Sequence, residues 1–408
     1  MDLIIRNARL HGRDGPTVDI GIENGLIRVI EPGLAAEGDE LDAGGHLVSP
    51  GLVESHFHLD KALIVDRAPP PSDRQTRDHM QRTAAIKHTF TVEDIYERAR
   101  RTLEECVLNG VTHMRTHVEV DPNIGMKGFD AITQLAADYR WAVDLEICVF
   151  LQEGWTATPG AEDNIIEGLR RGAPVLGGAP RYDPDRAGQI DRIFALAQEY
   201  DVNVDIHLDG GHDTSEIDVY KVCDHADRLG WGGRVAIGHG SKYASLPPEP
   251  LRQLGKRLGE AGVAVAVLPA TDLFNNGRHM DHNVLRGVAD ANTLVSLGAN
   301  CSISTNNVLN PFTPFGDCSL VRIANMYANT VQRGTREDLT EIFAMITERP
   351  ARIMRRDDYG IAPGNPADLL VWNVDSPADV IASIAQPAVG FKRGRRTFLR
   401  AAPFLQRP

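Results

Sequence analysis

The stretch Ser49–Leu63, SPGLVESHFHLDKAL, closes an apolar run with two histidines one residue apart. In a strand, residues i and i+2 share a face, so His56 and His58 project side by side. Two imidazoles at that spacing can grip one metal ion. Two half-buried surface histidines would have the same sequence, so the rest of the chain decides between these readings.

Similar runs recur downstream. After LVESHFH come VTHMRTHVEV, AVDLEICVF, PVLGGAP, VNVDIHLDG, RVAIGHG, VAVAVLPA and NCSISTNN. Amphipathic helical segments such as VEDIYERARRTLEECVLNG and IDRIFALAQEYD separate most of them. Near-continuous apolar character marks strands buried on both faces, as in a parallel sheet covered by helices. Eight strand-then-helix units are the arithmetic of a (β/α)8 TIM barrel. No Gly-rich phosphate loop follows an early strand, which argues against an open doubly wound sheet. The two ends have another texture, short strands and turns in DLIIRNARL and VDIGIENGLIRVI and again in ADLLVWNV and PAVGFKRGRRTF. The predicted class is therefore α/β, with a barrel over residues 51–359 and a small β-sandwich built from 1–50 plus 360–408.

Composition narrows the function classes. The chain has 408 residues, 42% hydrophobic and 24% charged, an ordinary soluble profile. Lys+Arg 43 against Asp+Glu 56 gives −13, which disfavours a phosphate backbone as partner. The one basic cluster, Lys392–Arg396, reads as a solvated turn between two strands. No run approaches the roughly 18 apolar residues of a membrane span, and MDLIIRNARL lacks the pattern of a signal peptide. Five scattered cysteines without C-x-x-C fit a reduced setting. These features predict a cytoplasmic protein with a small-molecule substrate, no nucleic-acid or membrane partner, and a homo-oligomeric assembly.

Barrel chemistry sits at the C-terminal ends of the strands. Strand 1 ends in His56 and His58, and strand 2 carries Arg115, His117 and Glu119 at alternate positions. Strand 3 runs into Gln152, strand 5 ends in His207, strand 6 in His239 and strand 8 in Asn306. Histidines that end three different strands converge on one mouth. His56, His58 and His207 would supply three neutral imidazole ligands to one divalent ion, zinc or iron, leaving positions open. Such an ion lowers the pKa of water toward ~7. His239, one strand further round, would hydrogen-bond that water or a developing oxyanion.

These residues lie in motifs that run nearly end to end: PGLVESHFHLDK, RTHVEVDP, FLQEGW, DIHLDG, the GH of strand 6, NNGR, NPFTPFGD and YGIAPGNPADLLVW. Taken together they resemble the amidohydrolase superfamily, most closely its cytosine-deaminase branch, which includes the N-isopropylammelide hydrolases. The resemblance implies a hydrolase acting on C–N bonds of small cyclic amides, amidines or amino-heterocycles. It assigns His56, His58 and His207 to the metal, His239 to the water and Gln152 to the substrate ring. Strand 4 offers no lysine or glutamate to bridge two ions, which favours a mononuclear centre. His117 and Arg278, the latter in NNGRHMDHN, are further candidates for the substrate; His279 and His282 read as solvent-facing or structural.

Two positions depart from the family pattern. The strand-8 aspartate that takes a proton from the metal's water falls on Asn306, whose amide cannot act as a base near neutral pH. A glutamate three residues after the strand-5 histidine falls on Gly210. Asp209, His212 and Asp213 lie in the same loop and offer replacements, Asp209 first among them. The alternative is a catalytically impaired or non-catalytic binding protein on the same scaffold. A serine acyl-transfer enzyme lacks its G-x-S-x-G elbow, and a nucleic-acid-editing zinc deaminase lacks H-x-E with P-C-x-x-C.

Overall fold

The computed structural model describes residues 1–12, 15–401 and 405–406. Eight parallel strands form the central sheet: strand 1 (Leu52–Phe57), strand 2 (Val111–Glu119), strand 3 (Asp144–Phe150), strand 4 (Val175–Gly178), strand 5 (Asn203–Leu208), strand 6 (Val235–His239), strand 7 (Val263–Val267) and strand 8 (Cys301–Ile303). Each pairs with its sequence neighbours. The barrel closes just past strand 8, where Asn306 N–H donates to His56 O at 3.1 Å and His58 N–H to Asn306 O at 2.9 Å. The residues that close the barrel are thus the ones that bear the candidate chemistry.

Helices cover the sheet for legible reasons. In helix Val92–Leu108, Thr91 caps the N-terminus by accepting from Asp94 N–H, and Glu93 and Asp94 face the positive end of the dipole. Its buried Ile95, Ala99, Thr102, Leu103 and Cys106 recur at helical spacing; Ala99, Leu103 and Cys106 join the main barrel core with Met114 and Val118 of strand 2, and Ile95 packs with Ile64, Phe90, Ile124 and Ala131. Among the described residues, no helix is long and apolar enough to cross a membrane.

Both ends of the chain build one further sheet, in the spatial order Arg395–Leu399, Val389–Lys392, Leu369–Val371, Leu47–Pro50, Leu3–Leu10, Val18–Glu23, Leu26–Glu31, with Asp39–Asp42 also on Leu3–Leu10. Ile5, Ile20, Val48, Leu369 and Phe391 enclose a separate core between its halves. The helix Pro377–Ser383, although in the C-terminal segment, packs on the barrel-side helix Arg336–Ala344, held by Arg336 to Asp379 at 3.1 Å.

The basic cluster is not uniformly solvated. Arg395 and Arg396 are exposed, but Lys392 is buried where the sheet meets the barrel floor. Its Nζ donates to Asp368 at 2.7 Å, Asp144 at 2.9 Å and Thr112 O at 3.0 Å. The apolar texture of PAVGFK had left no cue that its lysine points inward. Burial would raise the Asp144 carboxyl, but Lys392 and Arg393 outweigh it and hold it down to about 2. This contribution is present above the ordinary carboxyl value of 3.8 and is lost as the pH falls toward about 2. Removing one partner of a buried pair leaves an uncompensated charge, so Lys392→Met should cost about 3 kcal/mol, read as a lowered urea midpoint at pH 7. An unchanged midpoint would make the cluster a mere packing feature.

Candidate metal centre and active-site cleft

The C-terminal mouth of the barrel holds a cleft of about 570 Å³ lined by His58, His207, His239, Gln152 and Asn306 among others. Three ring nitrogens meet at its base. His207 Nε2 lies 3.1 Å from His56 Nε2 and 3.0 Å from His58 Nε2. Two nitrogens each about 2.1 Å from one ion would stand about 3.0 Å apart at a right angle and about 3.4 Å apart at the tetrahedral angle. Each pairing with His207 therefore fits a shared ion, while the three histidines whose ring nitrogens all lie within 4.8 Å of one another among the described residues are His56, His117 and His207.

Electrostatics agree. All three rings are buried, and burial pushes the His56 imidazole down to about 3 and those of His58 and His207 well below the usual range. They are neutral at physiological pH, as ligands must be. His207 Nδ1 faces Gly178 O at 3.3 Å, which places its proton there and leaves Nε2 bare. Gly238 makes room for the neighbouring ring, since a Cβ there would stand 2.5 Å from His56 Cε1.

Behind these rings lies a carboxylate. Asp205, two residues before His207 and on the same face, sits 3.6 Å from His56 Nδ1 and 3.5 Å from His117 Nε2. Arg115 anchors it at 2.9 Å and is itself held by Glu146 at 2.5 Å. Burial would raise Asp205, but His117, His56 and Arg115 outweigh it and keep it ionised, well below the usual range. A carboxylate behind a ligating imidazole fixes its tautomer, and losing one typically costs 10–100-fold in metal affinity. Asp205→Asn should weaken metal binding by about that factor, measured by competition with a chelator; unchanged affinity would confine Asp205 to a structural role.

At strand 6, His239 Nδ1 lies 2.8 Å from Asp272 Oδ1, on the short helix Pro269–Asn275 after strand 7. Asp272 fixes the Nδ1 proton and leaves Nε2 as an acceptor. His239 has φ +80° and Asn306 φ +66°, conformations that non-glycine residues rarely adopt and that cluster at functional sites. Asn306 Nδ2 donates to Thr271 Oγ1 at 3.1 Å, so its orientation is set by that bond, and its buried Oδ1 has no partner among the described residues.

Gln152 accepts from Lys61 Nζ at 3.1 Å through Oε1, which orients its NH2 as a donor. Lys61 is the lysine of the HLDK motif; it pairs with Glu119 at 2.6 Å and lies 4.3 Å over the Phe312 ring centre. Burial would raise Glu119, but Lys61 and Lys87 hold it down to about 2.

His56 lies beneath the cleft lining, and five further sequence candidates, His117, Asp209, Arg278, His212 and Asp213, also fall outside it. His117 lies against His56 with ring centres 3.8 Å apart and planes tilted by 32°, and its ring nitrogen comes within 4.8 Å of those of His56 and His207. Asp209 is buried with both oxygens engaged, accepting from Asp218 N–H at 2.8 Å, Val219 N–H at 3.2 Å and Tyr243 OH at 2.9 Å. It holds the start of helix Val219–Leu229. Arg278 donates to Arg74 O at 2.9 Å and stacks over Phe274. His212 accepts from Gly277 N–H, and Asp213 from Ser215 N–H. Asp272, Lys61 and Asp205 were the residues that sequence reasoning passed over. Asp205 and Lys61 carried a signal, standing two residues before one candidate ligand and three after another.

A parallel barrel with converging neutral imidazoles and a His–Asp pair at its mouth defines a metal-dependent hydrolase. Known proteins agree: the amidohydrolase family (Amidohydro_3) matches residues 144–395. The chain is 31% identical over 412 residues to an N-isopropylammelide isopropyl amidohydrolase of Pseudomonas sp. (strain ADP), covering 97% of this chain and 96% of that one. It is 22% identical to a pterin deaminase of Rhizobium rhizogenes, over 92% and 87% of the two chains. A crystal structure of 5-methylcytosine deaminase from Klebsiella pneumoniae, liganded with phosphonocytosine, superposes with a TM-score of 0.93 at 26% identity, covering 99% of this chain and 100% of that one. The chain belongs to the amidohydrolase family.

Proposed function

We propose that the protein removes an amino or alkylamino group from a small nitrogen heterocycle by hydrolysis, with one divalent ion, zinc or iron, held by His56, His58 and His207. The observation that carries this reading is that His207 Nε2 lies within 3.1 Å of both His56 Nε2 and His58 Nε2, beside the His239–Asp272 pair. The relatives named for ammelide, pterin and 5-methylcytosine chemistry support the substrate class. Imidazole suits zinc and iron alike.

The ion, when bound, supplies an activated water at neutral pH. The chain's residues do the rest. Gln152 donates its NH2 to a ring acceptor, and Lys61 fixes the amide so that the reacting carbon is held in place. His239 Nε2 takes a proton from the attacking water and returns it to the departing nitrogen, while Asp272 stabilises the imidazolium between the two transfers. Asn306 contributes a fixed dipole and no proton transfer.

Ammonia or alkylamine release from a panel of aminopyrimidines, aminotriazines and pterins, with metal-loaded protein, tests this reading. Chelator-sensitive release from at least one member is expected. No release from any member, with about one ion bound per chain, would favour a binding protein. Gln152→Ala should raise KM and lower kcat together; unchanged values would make it structural.

A further inference from the structure

Two arginines line the same cleft without a counter-ion. Arg77 lies just before helix His79–Lys87, and Arg181 lies in the turn Pro180–Tyr182 after strand 4. Neither forms an ion pair or hydrogen bond among the described residues, whereas the buried Arg98 and Arg115 both do. In a chain with 56 acidic against 43 basic side chains, two unpaired guanidinium groups in one cleft stand out. Burial, and then repulsion from Arg181, push Arg77 down to about 10, so it remains charged at neutral pH. Asp272 is the one carboxylate on the lining among the described residues, and His239 already engages it.

The backbone makes room for this charge. A Cβ at Gly210 would stand 3.1 Å from Arg181 Nη1, and one at Gly211 would stand 3.5 Å from the same atom. The bare loop after strand 5 thus lets the guanidinium reach over it. Arg77 is half-buried and Arg181 is exposed at the rim, and holding a partly desolvated cation beside a second one without a partner is unfavourable. An anionic ligand relieves the repulsion between the two and the desolvation of Arg77. Guanidinium forks match the two oxygens of a carboxylate, whereas a deprotonated ring oxygen offers only one.

We propose that Arg77 and Arg181 form the counter-ion site for a carboxylate substituent on the substrate ring, so that the preferred substrate is a ring-carboxylated nitrogen heterocycle. This rests on the hydrolase reading for the identity of the ring, but its test does not need turnover. The probes are matched pairs, cytosine-5-carboxylate with its carboxamide and pterin-6-carboxylate with its carboxamide, titrated calorimetrically into metal-loaded protein. At least one carboxylate should bind about 10- to 100-fold more tightly than its neutral isostere, the factor expected of charge-assisted hydrogen bonds. That ratio should shrink with added salt, collapse toward one in Arg77→Gln and Arg181→Gln, and survive in part in Arg77→Lys. If no carboxylate outbinds its carboxamide, or if the ratio is unchanged in both glutamine variants, the proposal is overturned. Neutral heterocycles turned over with a ratio near one would sink this inference alone. A high ratio without amine release from any panel member would sink the hydrolase reading alone.

Discussion

The double substitution His56→Ala/His58→Ala should abolish hydrolysis, by more than about 10⁴-fold, with less than a tenth of an ion bound per chain. His56 lies on strand 1, His58 directly past its end, and both rings face His207, so their loss leaves His207 without either partner. One imidazole does not hold a divalent ion against water, and hydroxide at neutral pH then reverts from a pKa near ~7 to that of bulk water, about 15.7. The strand itself should survive, since the deletions leave its apolar partners in place and the barrel closes through backbone bonds of residues 56, 58 and 306. Elemental analysis, kinetics and a thermal melt on one preparation check this. Full activity, or an ion retained at full occupancy, would remove these histidines from the metal centre.

His239→Ala is the second large effect, and it differs in kind. Loss of a general base costs about 10²–10⁴ in rate, while the three converging imidazoles, and so the bound ion, remain. Asp272→Asn should give a smaller loss, because the asparagine can still orient the ring but no longer stabilises its charged form. By contrast, Asp209→Asn should disturb stability more than rate, since that carboxylate serves the helix start at Asp218 and Val219. A rate loss at Asp209 equal to that at His239, with the fold intact, would return proton transfer to the loop after strand 5.

The barrel was legible because buried parallel strands write a continuous apolar run, a pattern that survives without knowledge of neighbours. The histidines were legible because they terminate those runs. What was hidden depended on where side chains turn after the strands end. Asp209 and Arg278 had the right chemistry and the right loops, but the first turns into a helix start and the second onto a backbone carbonyl. Asp272 was hidden because its helix begins at Pro269, directly after strand 7, and a lone acidic residue in LPATDLF carries no periodic signal. Arg77 and Arg181 come from segments that no pattern places at the mouth. Lys392 was read as solvated because a charge near a turn is usually exposed, and only the meeting of sheet and barrel buries it.

Hydrolysis with an amide, Asn306, at the end of strand 8 requires the proton to move through another group. The most direct measurement is amine release, from the same heterocycle panel, by metal-loaded protein and by Asn306→Asp assayed side by side at equal occupancy. Turnover by the chain as it stands is expected, with equal or lower turnover by Asn306→Asp, because the proton already moves through His239. No turnover by the present chain, with strong turnover created by Asn306→Asp, would contradict it and mark the protein as a binding form of the scaffold.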